Sequence, residues 1–135
     1  MALDTCIFIY QWEGNPRYSH LTDRLFSALE ESDFSAVTST ITMAELLVHP
    51  YREKDALRAN DLLGLLSTYP NLVWEPPGLA IAVRAAEIRA LYRLQTPDAI
   101  QAATAIHSRA TAFITNDPIF TRVPAFKTLV LDRLI

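Results

Sequence analysis

The 135-residue chain contains one cysteine and three glycines. A single cysteine excludes an internal disulfide and any metal cage built on thiolates. Three glycines leave no Gly-rich phosphate-binding loop of either common type. No apolar run approaches the length of a membrane span, so no membrane association is expected. No basic leader precedes an apolar core and a small-residue cleavage site, and a cytoplasmic location is expected from that. There is no linker, internal repeat or low-complexity run.

Half of the residues are apolar and a fifth are charged, which argues against disorder and coiled coil. The length suits one domain, residues 1–135, that buries about two-thirds of the surface of its unfolded form without a staple. The net charge is −3, unevenly spread: residues 1–67 carry −5 and residues 68–135 carry +2. A polyanionic partner would therefore be met mainly by the second half.

Strand-like and helix-like segments alternate from end to end, which predicts an α/β domain with a mostly parallel sheet. Ala2-Leu3 reads as a very short strand, Thr5 to Trp12 as a short buried helix, and Gly14-Asn15-Pro16 as a turn. Leu21, Leu25, Phe26 and Leu29 mark one face of a second helix, ended by Glu30-Glu31-Ser32-Asp33. Ser35 to Ile41 is rich in β-branched residues and predicts a buried strand. A helix from Thr42 through Val48 is expected to stop at His49-Pro50. The next runs from about Arg52 to Ser67, with Leu57, Leu62, Leu63, Leu65 and Leu66 inward. Asn71 to Trp74 is a brief strand, and Leu79 to Leu94 an Ala-rich helix. Thr96-Pro97 opens a helix to about Arg109, with Thr96 as cap, Pro97 first in the helix, and Ile100, Ala103 and Ile106 inward. Strands follow at Ala112 to Thr115 and Thr128 to Leu131, separated by Asn116-Asp117-Pro118 and a helical turn.

Four acidic residues sit where the chain changes direction. Asp4 and Asp117 follow strands, and Glu45 and Asp98 lie in the first turns of helices. In an open α/β sheet the carboxyl ends of parallel strands and the starts of the following helices share one edge, so all four can converge. Each also has a structural explanation. Thr42-Met43-Ala44-Glu45 fits a capping box, Asp98 complements a helix dipole, Asp117 before Pro118 fits an N-cap, and Asp4 fits a turn. Four carboxylates on one edge would nevertheless repel one another unless a cation sat among them, and without it at least one pKa should rise.

Asp4-Thr5-Cys6-Ile7-Phe8-Ile9-Tyr10 resembles the opening motif of PIN-domain ribonucleases, an aspartate and a hydroxyl residue before an apolar run. Ser39-Thr40-Ile41-Thr42-Met43-Ala44-Glu45-Leu46-Leu47 resembles the second motif of that family, and Thr96 to Ala105 the third. Phe113-Ile114-Thr115-Asn116-Asp117-Pro118-Ile119-Phe120 resembles the fourth. The motifs occur in family order and spacing across nearly the whole chain, and its size resembles the VapC-type toxins of bacterial toxin–antitoxin pairs. One departure is visible: only Met1-Ala2-Leu3 precede Asp4, so either a clipped first strand or a start further upstream is expected.

The resemblance implies a three-layer α/β/α fold and a divalent-cation-dependent endoribonuclease, with an antitoxin covering the site and a homodimer. Hard oxygen ligands without His or Cys suit Mg²⁺ or Mn²⁺ better than zinc. Asp4 and Asp98 are assigned as direct ligands, with Glu45 and Asp117 completing the catalytic set directly or through water. Thr5, Thr115 and Asn116 are candidates for holding ligands or water, or for satisfying local backbone groups. Arg89 and Arg93, four apart on the helix leading to Asp98, are the candidate RNA contacts, with Arg84, Arg109, Arg122 and Lys127 nearby in sequence. The plain alternative for these is a solvated helix face.

Cys6 reads as a small core residue, and Tyr51 and Tyr92 as packing residues rather than base-stacking ones. Tyr10, Trp12 and the Leu21–Leu29 face suit either the core or a groove for a partner helix. His20, His49 and His107 share no metal spacing. The competing function is a catalytically inactive PIN-like module that binds RNA or protein. An aspartyl-phosphate phosphatase is disfavoured because Cys6 stands where its second aspartate belongs, and a receiver domain because the only late lysine, Lys127, precedes a strand.

Overall fold

The computed structural model describes residues 1–135. The chain runs β1 (Ala2–Leu3), α1 (Thr5–Trp12), α2 (Ser19–Glu30), β2 (Ala36–Ser39), α3 (Ile41–Leu46), α4 (Val48–Arg52), α5 (Ala56–Ser67) and β3 (Leu72–Glu75). It continues through α6 (Leu79–Tyr92), α7 (Thr96–His107), β4 (Ala112–Thr115) and β5 (Lys127–Val130), with 3₁₀ turns at Pro118–Arg122 and Leu131–Arg133.

The five strands form one sheet in the order β3-β2-β1-β4-β5. Every pairing is parallel. β1 is only two residues long, yet it pairs on both sides, Ala2 with Val37 and Phe113, Leu3 with Ile114. A central position lets so short a strand persist, because both of its edges are hydrogen-bonded.

Alternation along the strands divides the core between the two faces of the sheet. Ala2, Val37 and Phe113 face α6 and α7, packing with Ile81, Ala85 and Ile88. Leu3, Ala36 and Ile114 face the opposite layer, with Phe8, Phe26 and Leu66. The architecture is therefore the expected three-layer α/β/α sandwich. Small residues let α7 lie deep: Ala99, Ala102, Ala103 and Ala105 are fully buried. Phe113 packs at a tilt against Phe120, centroids 4.4 Å apart, and stacks on Phe126 at 5.2 Å, pinning the turn after β4 to the sheet.

Several local expectations change. The helix after β2 ends at Leu46, and Pro50 lies inside α4 rather than stopping a helix. At the third position of a helix its missing N–H is one of the unpaired donors in any case. α5 begins at Ala56, capped by Asp55, whose side chain accepts from the Arg58 N–H at 3.0 Å. On it Leu66 is buried, but Leu57 is 78% exposed and Leu63 and Leu65 are also exposed. A leucine-rich run has more apolar positions than one helix face can turn inward. Thr96 does not cap α7, which it begins; Gln95 holds the cap position without a side-chain bond. Ile100 and Ile106 are only partly buried, while Gln101 and Thr104 of the same helix are buried. Tyr51 is exposed rather than packed. α6 ends at Tyr92, so Arg93 is the left-handed residue beyond it, φ 60°, and does not continue the face of Arg89. No helix is long and apolar enough to cross a membrane.

Candidate active site

Strand order reverses between β1 and β4, because β2 and β3 lie on one side of β1 and β4 and β5 on the other. Such a switch point opens a crevice beyond the carboxyl ends of the two strands. Asp4 directly follows β1; Thr115 ends β4, and Asn116-Asp117 follow it. α3 leaves the end of β2 and carries Glu45; α7 starts at the same edge, with Asp98 in its first turn.

Asp4 caps α1. Its Oδ1 accepts from the Thr5 N–H at 2.8 Å, and its Oδ2 from the Thr115 hydroxyl at 2.7 Å. Thr115 is fully buried and its Oγ1 also accepts from the Asp117 N–H at 3.0 Å, so one hydroxyl ties the end of β4 to the end of β1. Asp117 caps the 3₁₀ turn, accepting from the Ile119 N–H at 3.0 Å. The capping explanation for Asp117 therefore holds locally, and Asp4, read as a turn residue, is a helix cap as well. The capping box for Glu45 does not hold: Thr42 lies inside α3, whose cap position is Thr40, and Glu45 lies beyond its first turn. Instead the Glu45 Oε1 accepts from the Thr5 hydroxyl at 3.0 Å.

The acids are electrostatically coupled. Burial pushes the Asp4 carboxyl up to about 6, against the pull of its bonds from Thr115 and Thr5 and with the help of the Asp98 and Glu45 charges. Burial also raises Asp98, with Asp117 and Glu45 adding to it. The expected rise is present, but desolvation contributes more than mutual repulsion. None of the three ion pairs in the molecule involves these acids: they join Arg17 to Asp132, Arg84 to Glu87 and His107 to Glu75. As the side chains stand, no three His, Cys, Asp or Glu groups are close enough together to hold one ion. Direct ligation by three carboxylates would need them to draw in, whereas Mg²⁺ commonly keeps several waters and uses one or two carboxylates. The all-oxygen donor set and the uncompensated charge fit a hard divalent cation.

Asn116 turns away from the acids. Its Nδ2 donates to the Tyr10 hydroxyl at 3.1 Å and its Oδ1 accepts from the Asp132 N–H at 2.9 Å, joining α1 to the last turn. Cys6 packs against the core, and burial pushes its thiol up to about 12. Among the basic residues, Arg84 faces Glu87 and Arg122 donates to the Tyr92 carbonyl at 3.2 Å, while Arg89 and Arg93 are exposed. Gln101, absent from the residues singled out in the sequence, lies at 2% exposure between Thr5 and Thr42. A polar residue amid alanines on a helix read as core was the available signal.

Residues 1–125 match the PIN domain family. Among solved structures, a toxin–antitoxin complex from Klebsiella pneumoniae matches with 26% identity and a TM-score of 0.70, over 96% of each chain. VapBC2 from Rickettsia felis, bound to a DNA fragment from its promoter, matches with 19% identity, and FitAcB from Neisseria gonorrhoeae with 20%. Both reach a TM-score of 0.73 over 96% of each chain, a likeness of fold. No curated protein matches the chain. The sheet order, the acidic edge at its switch point and the family match over most of the length make this chain a member of the PIN domain family.

Proposed function

We propose that this protein is a divalent-cation-dependent endoribonuclease and acts in the cytoplasm as the toxin of a type II toxin–antitoxin pair. The observation that carries the chemistry is the coupled set Asp4, Glu45, Asp98 and Asp117, with no Lys or Arg ion-paired to any of them. Asp4 and Asp98 would hold Mg²⁺ or Mn²⁺; the raised pKa of both groups fits carboxylates that are most comfortable with a cation nearby. Glu45 and Asp117 lie further out, exposed to solvent, and would complete the site directly or through water. Such an ion, when bound, stabilises negative charge on a phosphodiester and makes water a better nucleophile. The chain's own contribution is to keep the carboxylates oriented through Thr5 and Thr115, and to offer Arg89 and Arg93 to the RNA backbone. The toxin–antitoxin complexes among similar structures support an antitoxin partner, and a homodimer belongs to the same reading.

The test is cleavage of single-stranded RNA by the purified protein with Mg²⁺ or Mn²⁺, beside an Asp98→Asn control. Cleavage by the wild type alone is expected. Equal cleavage by both proteins would mark a contaminant, and binding of RNA without cleavage would favour the inactive module.

A further inference from the structure

Beneath the acidic edge lies a buried network of hydroxyl and amide groups whose hydrogen bonds run outward from one amide in two branches. Thr38 donates to the Leu3 carbonyl at 2.9 Å. A hydroxyl has one proton, so across the 2.7 Å contact between Thr38 and Thr42 it is Thr42 that donates. With its proton spent there, Thr42 only accepts, and it accepts from the Gln101 Nε2 at 2.7 Å. The second Gln101 proton points at the Thr5 Oγ1, 3.3 Å away. Thr5 in turn lies 3.0 Å from the Glu45 Oε1 and 3.2 Å from Thr42, and the shorter contact to a charged acceptor takes its proton. Thr5, Thr38, Thr42 and Gln101 are all 5% exposed or less, so water does not compete.

The end groups fix the direction. An amide nitrogen donates and never accepts, and the Leu3 carbonyl accepts and never donates. Were the Gln101 oxygen turned toward the two hydroxyls, it would face Thr42 at 2.7 Å with no proton between them, because Thr42 has given its own to Thr38. We infer that Gln101 is a positioning residue: it holds the Thr5 hydroxyl as a donor to Glu45 and so fixes one oxygen of an otherwise exposed carboxylate facing the ion. This rests on the function proposed above and adds to it a residue, on the buried side of α7, that touches neither RNA nor ion.

The test is a double-mutant cycle on the full chain, read by calorimetric titration with Mn²⁺ and by RNA cleavage. Gln101→Met keeps the volume and removes the donors. It is expected to weaken Mn²⁺ binding and lower kcat about tenfold, with KM for RNA unchanged. In a Glu45→Ala background the same substitution is expected to cost less than about twofold, because the oxygen that Thr5 would hold is already gone. Equal losses in both backgrounds would overturn the proposal, since packing damage does not depend on residue 45; so would no loss in the wild type. Should Gln101→Met fail to fold, Thr5→Ala interrupts the same path and carries the same two expectations. The wiring is also read without metal: slow exchange of the Gln101 side-chain amide protons in the wild type is expected, and fast exchange overturns it. Slow exchange in a wild type that neither binds Mn²⁺ nor cleaves RNA would instead remove the proposed function, and this role with it.

Discussion

The acidic edge has two halves that are held in different ways. On the β1–α3 side, Asp4 and Glu45 each accept from a buried threonine; the Thr5 hydroxyl accepts in turn from the buried Gln101 amide, and the Thr115 hydroxyl from the Asp117 N–H. On the α7–β4 side, Asp98 and Asp117 owe their places to backbone: the first turn of a helix and the cap of a 3₁₀ turn. The first half depends on side chains brought together from distant parts of the chain. The second depends on local geometry, with Phe120 anchoring the turn against Phe113. The first half should therefore tolerate little substitution of its supporting residues, and the second should be sensitive mainly to how its backbone is anchored.

The largest expected effect is on the first half. Asp4→Asn should reduce RNA cleavage more than about a hundredfold, beyond the loss expected for a supporting residue. In the metal-free protein it should also change how stability depends on pH. With its carboxyl raised from 3.8 to about 6, Asp4 binds a proton more tightly folded than unfolded. The stability this contributes is complete below about pH 3.8 and is lost as pH rises through about 6, a change on the order of 3 kcal/mol. Chemical denaturation between pH 4 and 7 should show this fall in the wild type and a flatter profile in Asp4→Asn; an unchanged slope would remove the enclosed carboxylate from the account.

Next in size, Phe120→Ala should cost about 3–5 kcal/mol and loosen the turn that Asp117 caps. Its loss of cleavage should exceed that of Asp117→Asn, which keeps a capping oxygen. The reverse order would mean that Asp117 matters by charge rather than by placement. Mg²⁺ or Mn²⁺ should raise the Tm of the wild type but not of Asp4→Asn or Asp98→Asn. The rise should be larger at pH 7 than at pH 5, where Asp4 is mostly protonated. Equal shifts in wild type and variants would refute the ligand assignment.

The smallest effects lie outside both halves. Arg93→Gly relieves a left-handed backbone and should stabilise the fold by up to about 1 kcal/mol, measured by denaturation. If Arg93 meets a phosphate, the same variant should flatten the salt dependence of RNA binding by about 0.7 in log–log slope. An unchanged slope would leave Arg89 as the contact to test.

Asp4, Asp98 and Asp117 were legible because each stands at a junction between elements, and junctions are marked by local composition; Glu45 lies inside α3, and its reading as a first-turn residue failed. The sheet was legible too, through short β-branched runs between helices. The inward face of α5 was not: its leucines crowd more than one face, and only the neighbouring sheet decides that Leu66 rather than Leu57 is buried. The end of α3 was misplaced because Pro50 looks like a stop, although a proline near a helix start breaks no bond. Gln101 escaped notice because helical periodicity sorts residues by polarity, and a buried glutamine violates that rule.

By itself the sequence determined that helices and strands alternate, that their connections favour parallel strands, and that Asp4, Asp98 and Asp117 stand at junctions between elements, because these follow from spacing, β-branching and capping among near neighbours. Only the tertiary structure decided which side chains answer one another. Thr5 meets Glu45 across 40 positions, Thr115 meets Asp4 across 111 and Gln101 meets Thr5 across 96. Such pairs are selected by the packing of α1, α3 and α7 around the ends of the sheet, where a buried hydroxyl or amide must find a partner or pay for its lost water.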